Sequence, residues 1–166
     1  MRVSAKADYA IRAVVELGAR YQLGEQPSPM KGEAIGRAQH IPMKFCENIL
    51  SELRSAGVVD SRRGIDGGYW LAVDPATVKL GDIIRIVEGP LAAVRGDSPT
   101  SVEFTGASEA MRDVWVAVRA SLRRVLDVVT VADVVNGALP ADVRSLLDDE
   151  GAWDVVAPMT GDHLSH

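Results

Sequence analysis

Apolar residues recur three and four apart over much of this chain, and the breaks in that period divide it into short helices. Ser4 is placed to cap a first helix reaching to about Tyr21, with Ala10, Val14, Leu17 and Tyr21 on one stripe. The run Gly24-Glu25-Gln26-Pro27-Ser28-Pro29 interrupts it. A short helix is expected over about 33–39, anchored by Ala34, Ile35 and Ala38, and a further helix over about 43–56. His40-Ile41-Pro42 forms the turn between them, and Gly57 stands where a glycine would end the second. Beyond it, Val58-Val59-Asp60-Ser61-Arg62 and Tyr69-Trp70-Leu71-Ala72 are rich in strand-forming residues. Joined through Arg63-Gly64-Ile65-Asp66-Gly67-Gly68, they predict a two-stranded ribbon with a glycine-rich loop.

The second half returns to the helical period. Residues 80–88 predict a helix with Ile83, Ile84 and Val87 inward, stopped by Gly89-Pro90. Residues 91–107 show no period and are expected to form a loop. A long helix follows over about 108–129, where Met111, Val114, Trp115, Val118, Leu122, Val125, Leu126 and Val129 make one continuous apolar seam. Thr130 can cap a short helix through Asn136, and 140–149 can form another. The tail past Gly151 is expected to fray, with Trp153 a candidate for docking. The fold class is therefore mainly α with a small β-wing.

Composition narrows the picture. With 166 residues, 47% of them hydrophobic, the chain can bury a core as one domain or as a small domain with an extension. Its single cysteine excludes an intrachain disulfide and a thiolate metal cage within one chain. The first residues have no apolar signal core, and no stretch reaches the roughly 18 to 20 apolar residues of a membrane span. A cytoplasmic location is expected. The net charge of −5 is unevenly placed. Residues 1–64 hold 10 Lys+Arg against 7 Asp+Glu, whereas 65–166 hold 8 against 16. A basic front and an acidic back suit a protein that presents one face to phosphate, although uneven surface charge alone does not require it.

On the helix over 43–56, Cys46, Ile49, Leu50 and Leu53 share one face, and Lys44, Asn48, Ser51 and Ser55 share the opposite one. The outward types suit the DNA major groove. Asn can pair bidentately with an adenine edge, Lys can reach guanine or phosphate, and Ser can bond to either. Glu47 and Glu52 on the flanks would repel phosphate, yet could accept from a cytosine amino group. Any surface helix has a polar face; the preceding short helix and tight turn are what make this a helix-turn-helix. Arg62, Arg63 and Gly64 then lead into a hairpin able to approach a duplex at phosphate or in the minor groove. A nucleotide-cradling loop is excluded, since no Gly-Lys-Ser/Thr follows and the next segment is a strand.

Over roughly residues 1–137 the chain resembles the Rrf-type family of winged helix-turn-helix transcription regulators typified by IscR, NsrR and CymR. The likeness rests on the opening Met1-Arg2-Val3-Ser4-Ala5-Lys6-Ala7-Asp8-Tyr9-Ala10-Ile11-Arg12-Ala13, on Ile41-Pro42-Met43-Lys44-Phe45-Cys46-Glu47-Asn48-Ile49-Leu50, and on Leu53-Arg54-Ser55-Ala56-Gly57-Val58-Val59. The wing Arg63-Gly64-Ile65-Asp66-Gly67-Gly68-Tyr69, Leu80-Gly81-Asp82-Ile83-Ile84 and Thr130-Val131-Ala132-Asp133-Val134 extend it. The resemblance implies a winged helix-turn-helix plus a long dimerisation helix. It also implies a homodimer on a pseudo-palindromic operator of double-stranded DNA. Matching positions imply Lys44, Phe45, Glu47 and Asn48 at base edges or backbone, Arg63 in the wing, and Arg2 at a phosphate.

Many members hold an iron–sulfur cluster through three cysteines in the loop before the long helix. Here 91–107 contain neither cysteine nor histidine, and Asp8, which matches a carboxylate ligand in some relatives, lacks thiolate partners. The expectation is no cofactor, no metal and no catalytic residue; His163 and His166 lie in the tail. The expected organisation is 1–78 as the DNA-binding domain, 79–107 as connecting helix and loop, 108–150 as dimerisation helix and short C-terminal helices, and 151–166 as a flexible tail. The expected function is a repressor whose effector, a small molecule or protein, is unidentified. Two alternatives are a winged-helix protein-interaction module without specific DNA binding and a regulator sensing thiol oxidation at Cys46.

Overall fold

The computed structural model describes residues 3–24 and 27–155, so the Arg2, His163 and His166 expectations fall outside the described residues. The first helix, α1 (Ala5–Gln22), starts where Ser4 accepts a hydrogen bond from the Ala7 amide at 3.0 Å. Its buried face, Ala7, Ala10, Ala13, Val14, Leu17 and Gly18, is built of small residues around two larger ones. That lets several elements approach it closely. Packed on α1 are α2 (Gly32–Ala38), α3 (Met43–Ser55), the strand β2 (Gly68–Leu71), α4 (Leu80–Glu88) and α6 (Val131–Val135).

The strand β1 (Val59–Arg62) pairs antiparallel with β2, Val59 opposite Leu71 and Arg62 opposite Gly68. Each strand sits one residue from its predicted start, because the ladder is set by the inward Val59 and Leu71, both almost fully buried. Met30 extends the ribbon from outside it. Its amide and carbonyl exchange hydrogen bonds with Tyr69, both at 2.8 Å, so the wing is stitched to the segment leading into α2.

The main core cluster runs from Ala10 and Leu17 through Leu50 and Leu71 to Ile83, Val87 and Val131, with a smaller cluster of Ala7, Ile84 and Leu91 beside it. Val131 reaches it because Lys79 and Thr130 pair as an isolated bridge, with the Leu80 amide on the Val129 carbonyl at 3.0 Å and the Val131 amide on the Val78 carbonyl at 2.9 Å. Thr130 and Asp133 then form a capping box that starts α6. This bridge also shortens the long helix. Expected to reach Val129, α5 (Met111–Leu126) stops at Leu126 because Asp127 is drawn to Arg85 and Val129 into the pairing. At its other end the Ser108 hydroxyl bonds back to the Thr105 carbonyl in a 3₁₀ turn, Gly106–Ser108, a local alternative to helix.

Residues 91–105 form the expected loop, ordered by Val94 and Asp97 pairing across a tight turn and by the buried Pro99 and Val102. The helix expected over 140–149 divides into α7 (Ala141–Ser145) and a 3₁₀ turn, Leu146–Asp148. The Trp153 indole donates to the Leu147 carbonyl at 2.9 Å, yet its ring is 78% exposed, so it is anchored by a hydrogen bond without being buried.

Candidate nucleic-acid interface

The turn between α2 and α3 is held from both sides. His40 takes a left-handed conformation (φ 53°), Ile41 is buried, and the Ile41 amide donates to the Gly36 carbonyl at 2.8 Å. Pro42, with φ preset for the start of a helix, then leads into α3. Cys46, Ile49, Leu50 and Leu53 of α3 are all fully buried against the other helices. The opposite side is therefore committed to solvent. Lys44, Phe45, Glu47, Asn48 and Ser51 are all exposed. The side chains of Lys44, Asn48 and Ser51 make no hydrogen bond to protein among the described residues, so their donors and acceptors are free for an outside partner.

Phe45 is fixed although it is 48% exposed. Its ring meets Tyr9 edge-on at 5.8 Å, and the Arg12 guanidinium lies 5.0 Å from the Tyr9 ring centre. Arg12 also donates to the Gln39 carbonyl at 2.8 Å and pairs with Asp8. One α1 arginine thus steadies both the turn and the aromatic beside α3. Glu52, by contrast, does not stand free toward a groove. Lys6 pairs with it at 2.9 Å while donating to the Val87 carbonyl at 2.8 Å, tying α3 to α1 and α4.

The wing projects beside this surface. Arg62 donates through Nε to the Asp66 carbonyl at 3.3 Å, while the Arg63 guanidinium has no protein partner among the described residues. Gly64 adopts φ 110° with open space where a Cβ would stand, a conformation that L side chains rarely take. Ile65 at the tip is 94% exposed. Lys31 was not among the sequence candidates, yet its ammonium donates to the Gly64 carbonyl at 2.6 Å from 33 positions away. Only the Met30–Tyr69 pairing brings it there, and no local motif signals that. The structure therefore sets Lys44, Phe45, Glu47, Asn48 and Ser51 on one helix and Arg62, Arg63 and Gly64 on one hairpin. Lys31, Tyr9 and Arg12 join them as supports.

Cys46 is the one cysteine, fully buried, with its thiol 3.5 Å from the Gly32 carbonyl. Burial, and secondarily the negative charge of Glu47, push its pKa above the ordinary thiol value. It is therefore held as the unreactive thiol rather than as thiolate.

The model of the Rrf2 family, described as iron-dependent transcriptional regulator, matches residues 3–137. A Mycobacterium tuberculosis chain assigned to the helix-turn-helix transcriptional regulators is 42% identical over 154 residues, 93% of each chain. Among solved structures, CymR of B. subtilis, titled the global cysteine regulator, superposes with a TM-score of 0.68 at 30% identity, covering 82% of this chain and 98% of that one. IscR of T. potens superposes with a TM-score of 0.66 at 33% identity, covering 83% and 88%. The described residues do not fit the iron that the family description invokes. No three His, Cys, Asp or Glu side chains converge among the described residues, Asp8 is paired with Arg12, and Cys46 is enclosed in the core. No helix of the described residues is long and apolar enough to cross a membrane.

Proposed function

The chain belongs to the Rrf2 family of winged helix-turn-helix transcriptional regulators, and from that premise we propose that it is a homodimeric repressor reading a pseudo-palindromic operator. The observation that carries the reading is the exposed face of α3, where Lys44, Asn48 and Ser51 keep their polar groups free beside a wing bearing Arg63. In this arrangement α3 enters the major groove. Asn48 reads an adenine edge, Lys44 a guanine or phosphate, and Glu47 a cytosine amino group. Phe45, braced by Tyr9, makes apolar contact with a thymine methyl or the sugar edge. Arg62 and Arg63 carry the wing along the backbone, and Gly64 gives it close approach. Arg2 is assigned to a phosphate by family resemblance.

Dimerisation follows from α5. None of its residues is buried, although its sequence carries an unbroken apolar seam. A second copy supplies the missing cover and places two α3 helices on two half-sites. In this reading 1–78 read DNA, 79–107 connect and 108–150 dimerise; the tail expected over 151–166 lies, past Val155, outside the described residues. Repression needs nothing beyond occupancy of the operator, and a cytoplasmic location goes with it. Selection of bound duplexes from random DNA tests the reading, with iron content and visible absorbance measured on the same sample. The expected result is an enriched palindrome bound with a steep salt dependence by a colourless protein. Binding with no advantage over random DNA would favour an interaction module instead.

A further inference from the structure

A second charged site lies away from α3 and the wing, where α4 meets α5. It is an open cleft of about 660 Å³ with Pro90 and Leu91 on its apolar side. Lys79, Arg85, Arg119 and Arg123 line it against only two carboxylates, Asp82 and Asp127. This is notable in a stretch of chain where acids outnumber bases two to one, 16 to 8 over residues 65–166. We propose that the cleft binds a small dianion, a phosphate group or a dicarboxylate.

The site is built around Asp127. Its Oδ1 accepts from Arg85 Nη2 at 2.6 Å and its Oδ2 from Arg123 Nε at 2.8 Å, so one carboxylate seats two guanidinium groups from different helices. Arg85 also reaches Asp82 at 2.9 Å. Burial alone would raise the Asp127 pKa; the hydrogen bonds from Arg123 and Arg85, and their charges, outweigh it and hold the group below the usual carboxylate range. Gly81 makes the seating possible. A Cβ there would lie 2.3 Å from Asp127 Oδ1 and 3.0 Å from the Leu126 carbonyl, so any larger residue would evict the carboxylate.

With both carboxylates engaged, donors remain on the cationic side. Lys79 Nζ and the two terminal nitrogens of Arg123 have no protein acceptor among the described residues. Arg119, one helical turn before Arg123 and on the same face, uses only Nη1, on the Ser98 hydroxyl at 2.7 Å. Four cations against two anions leave a surplus of two positive charges, which a dianion neutralises. Guanidinium forks suit the oxygen pairs of phosphate and carboxylate alike. The ligand would sit at the joint between the body that carries α3 and the helix that carries the apolar seam.

The test uses the full chain without DNA, so its failure is separable from failure of the operator reading. The thermal midpoint is followed against inorganic phosphate and, separately, succinate, at ionic strength held constant with chloride. A saturable rise beyond chloride is expected with at least one dianion. Phosphate alone would point to a phosphorylated ligand, and succinate alone to a dicarboxylate. The double variant Lys79→Gln/Arg119→Gln leaves the Arg85–Asp127–Arg123 seat intact and should bind about tenfold more weakly or worse, the factor lost with one charge-assisted hydrogen bond. Arg119→Lys keeps the charge and loses the fork, so it should weaken binding without disturbing the fold. No response to either dianion, or a response in the double variant and in Arg119→Lys as strong as that of the unaltered chain, would overturn the proposal and leave a structural ion-pair network.

Discussion

The helices α3 and α5 look alike as sequence and differ in structure. Both carry apolar residues three and four apart with charged residues between them. In α3 the stripe is consumed within the chain, with four residues fully buried and the polar face left free. In α5 no residue is buried, and Val114 is 48% exposed. The difference teaches where each helix finds its stability. The hydrophobic effect rewards removal of apolar surface from water whatever covers it, and α5 has only part of that cover in a single chain, its seam half-buried at Trp115, Val118, Leu122 and Val125. A stripe that is satisfied at home frees its opposite face for recognition; an unsatisfied stripe is itself the recognition surface.

The sharpest way to break this comparison is Val114→Glu. A side chain already half exposed should leave the monomer's fold intact, yet a charge in the seam should abolish the dimer. Operator affinity should then fall by about two to four orders of magnitude as bivalency is lost, read by sedimentation and duplex binding. A dimer that survives would mean that the seam is covered in some other way. The matching change in α3, Leu50→Ala, should act on folding. It should cost about 2 to 5 kcal/mol in denaturant unfolding, because it opens a cavity in the main core cluster, where Leu50 is fully buried.

Smaller effects are expected on the faces proposed to meet DNA. Asn48→Ala should leave stability unchanged and relax base preference at one position of each half-site, by about 1 to 3 kcal/mol, in a selection profile. An unaltered profile would remove Asn48 from base reading. Arg63→Ala should be mildest, lowering affinity evenly across sequences and reducing the slope of log affinity against log salt by about one, with the dimer intact.

Much of α3 was legible in advance because its information is local. Once the turn at His40-Ile41-Pro42 sets the start, the helical period alone decides that Cys46, Ile49, Leu50 and Leu53 face inward and that Lys44, Asn48 and Ser51 face outward. The glycine-rich hairpin was legible for a similar reason, since Gly64 is needed where the backbone turns left-handed. The role given to Glu52 was not legible, because its partner Lys6 belongs to another helix. Nor was the length of α5, which is cut short where the Val129 carbonyl accepts from Leu80 at the start of α4 and Thr130 pairs with Lys79.

By itself, the order of residues determined the elements, the two faces of α3, the wing and the absence of a thiolate set for iron. These follow from backbone geometry and composition, which act over a few residues. Tertiary structure alone decided that Lys31 would brace Gly64 across 33 positions and that Asp127 would seat Arg85 across 42. It also decided that one apolar stripe would be fully buried and the other only half-buried within one chain. Such pairings depend on how closely whole elements approach. For Lys31 that is set by the Met30–Tyr69 pairing, where a Cβ on Gly68 would lie 2.6 Å from the Met30 carbonyl oxygen, and for Asp127 by Gly81 beneath it.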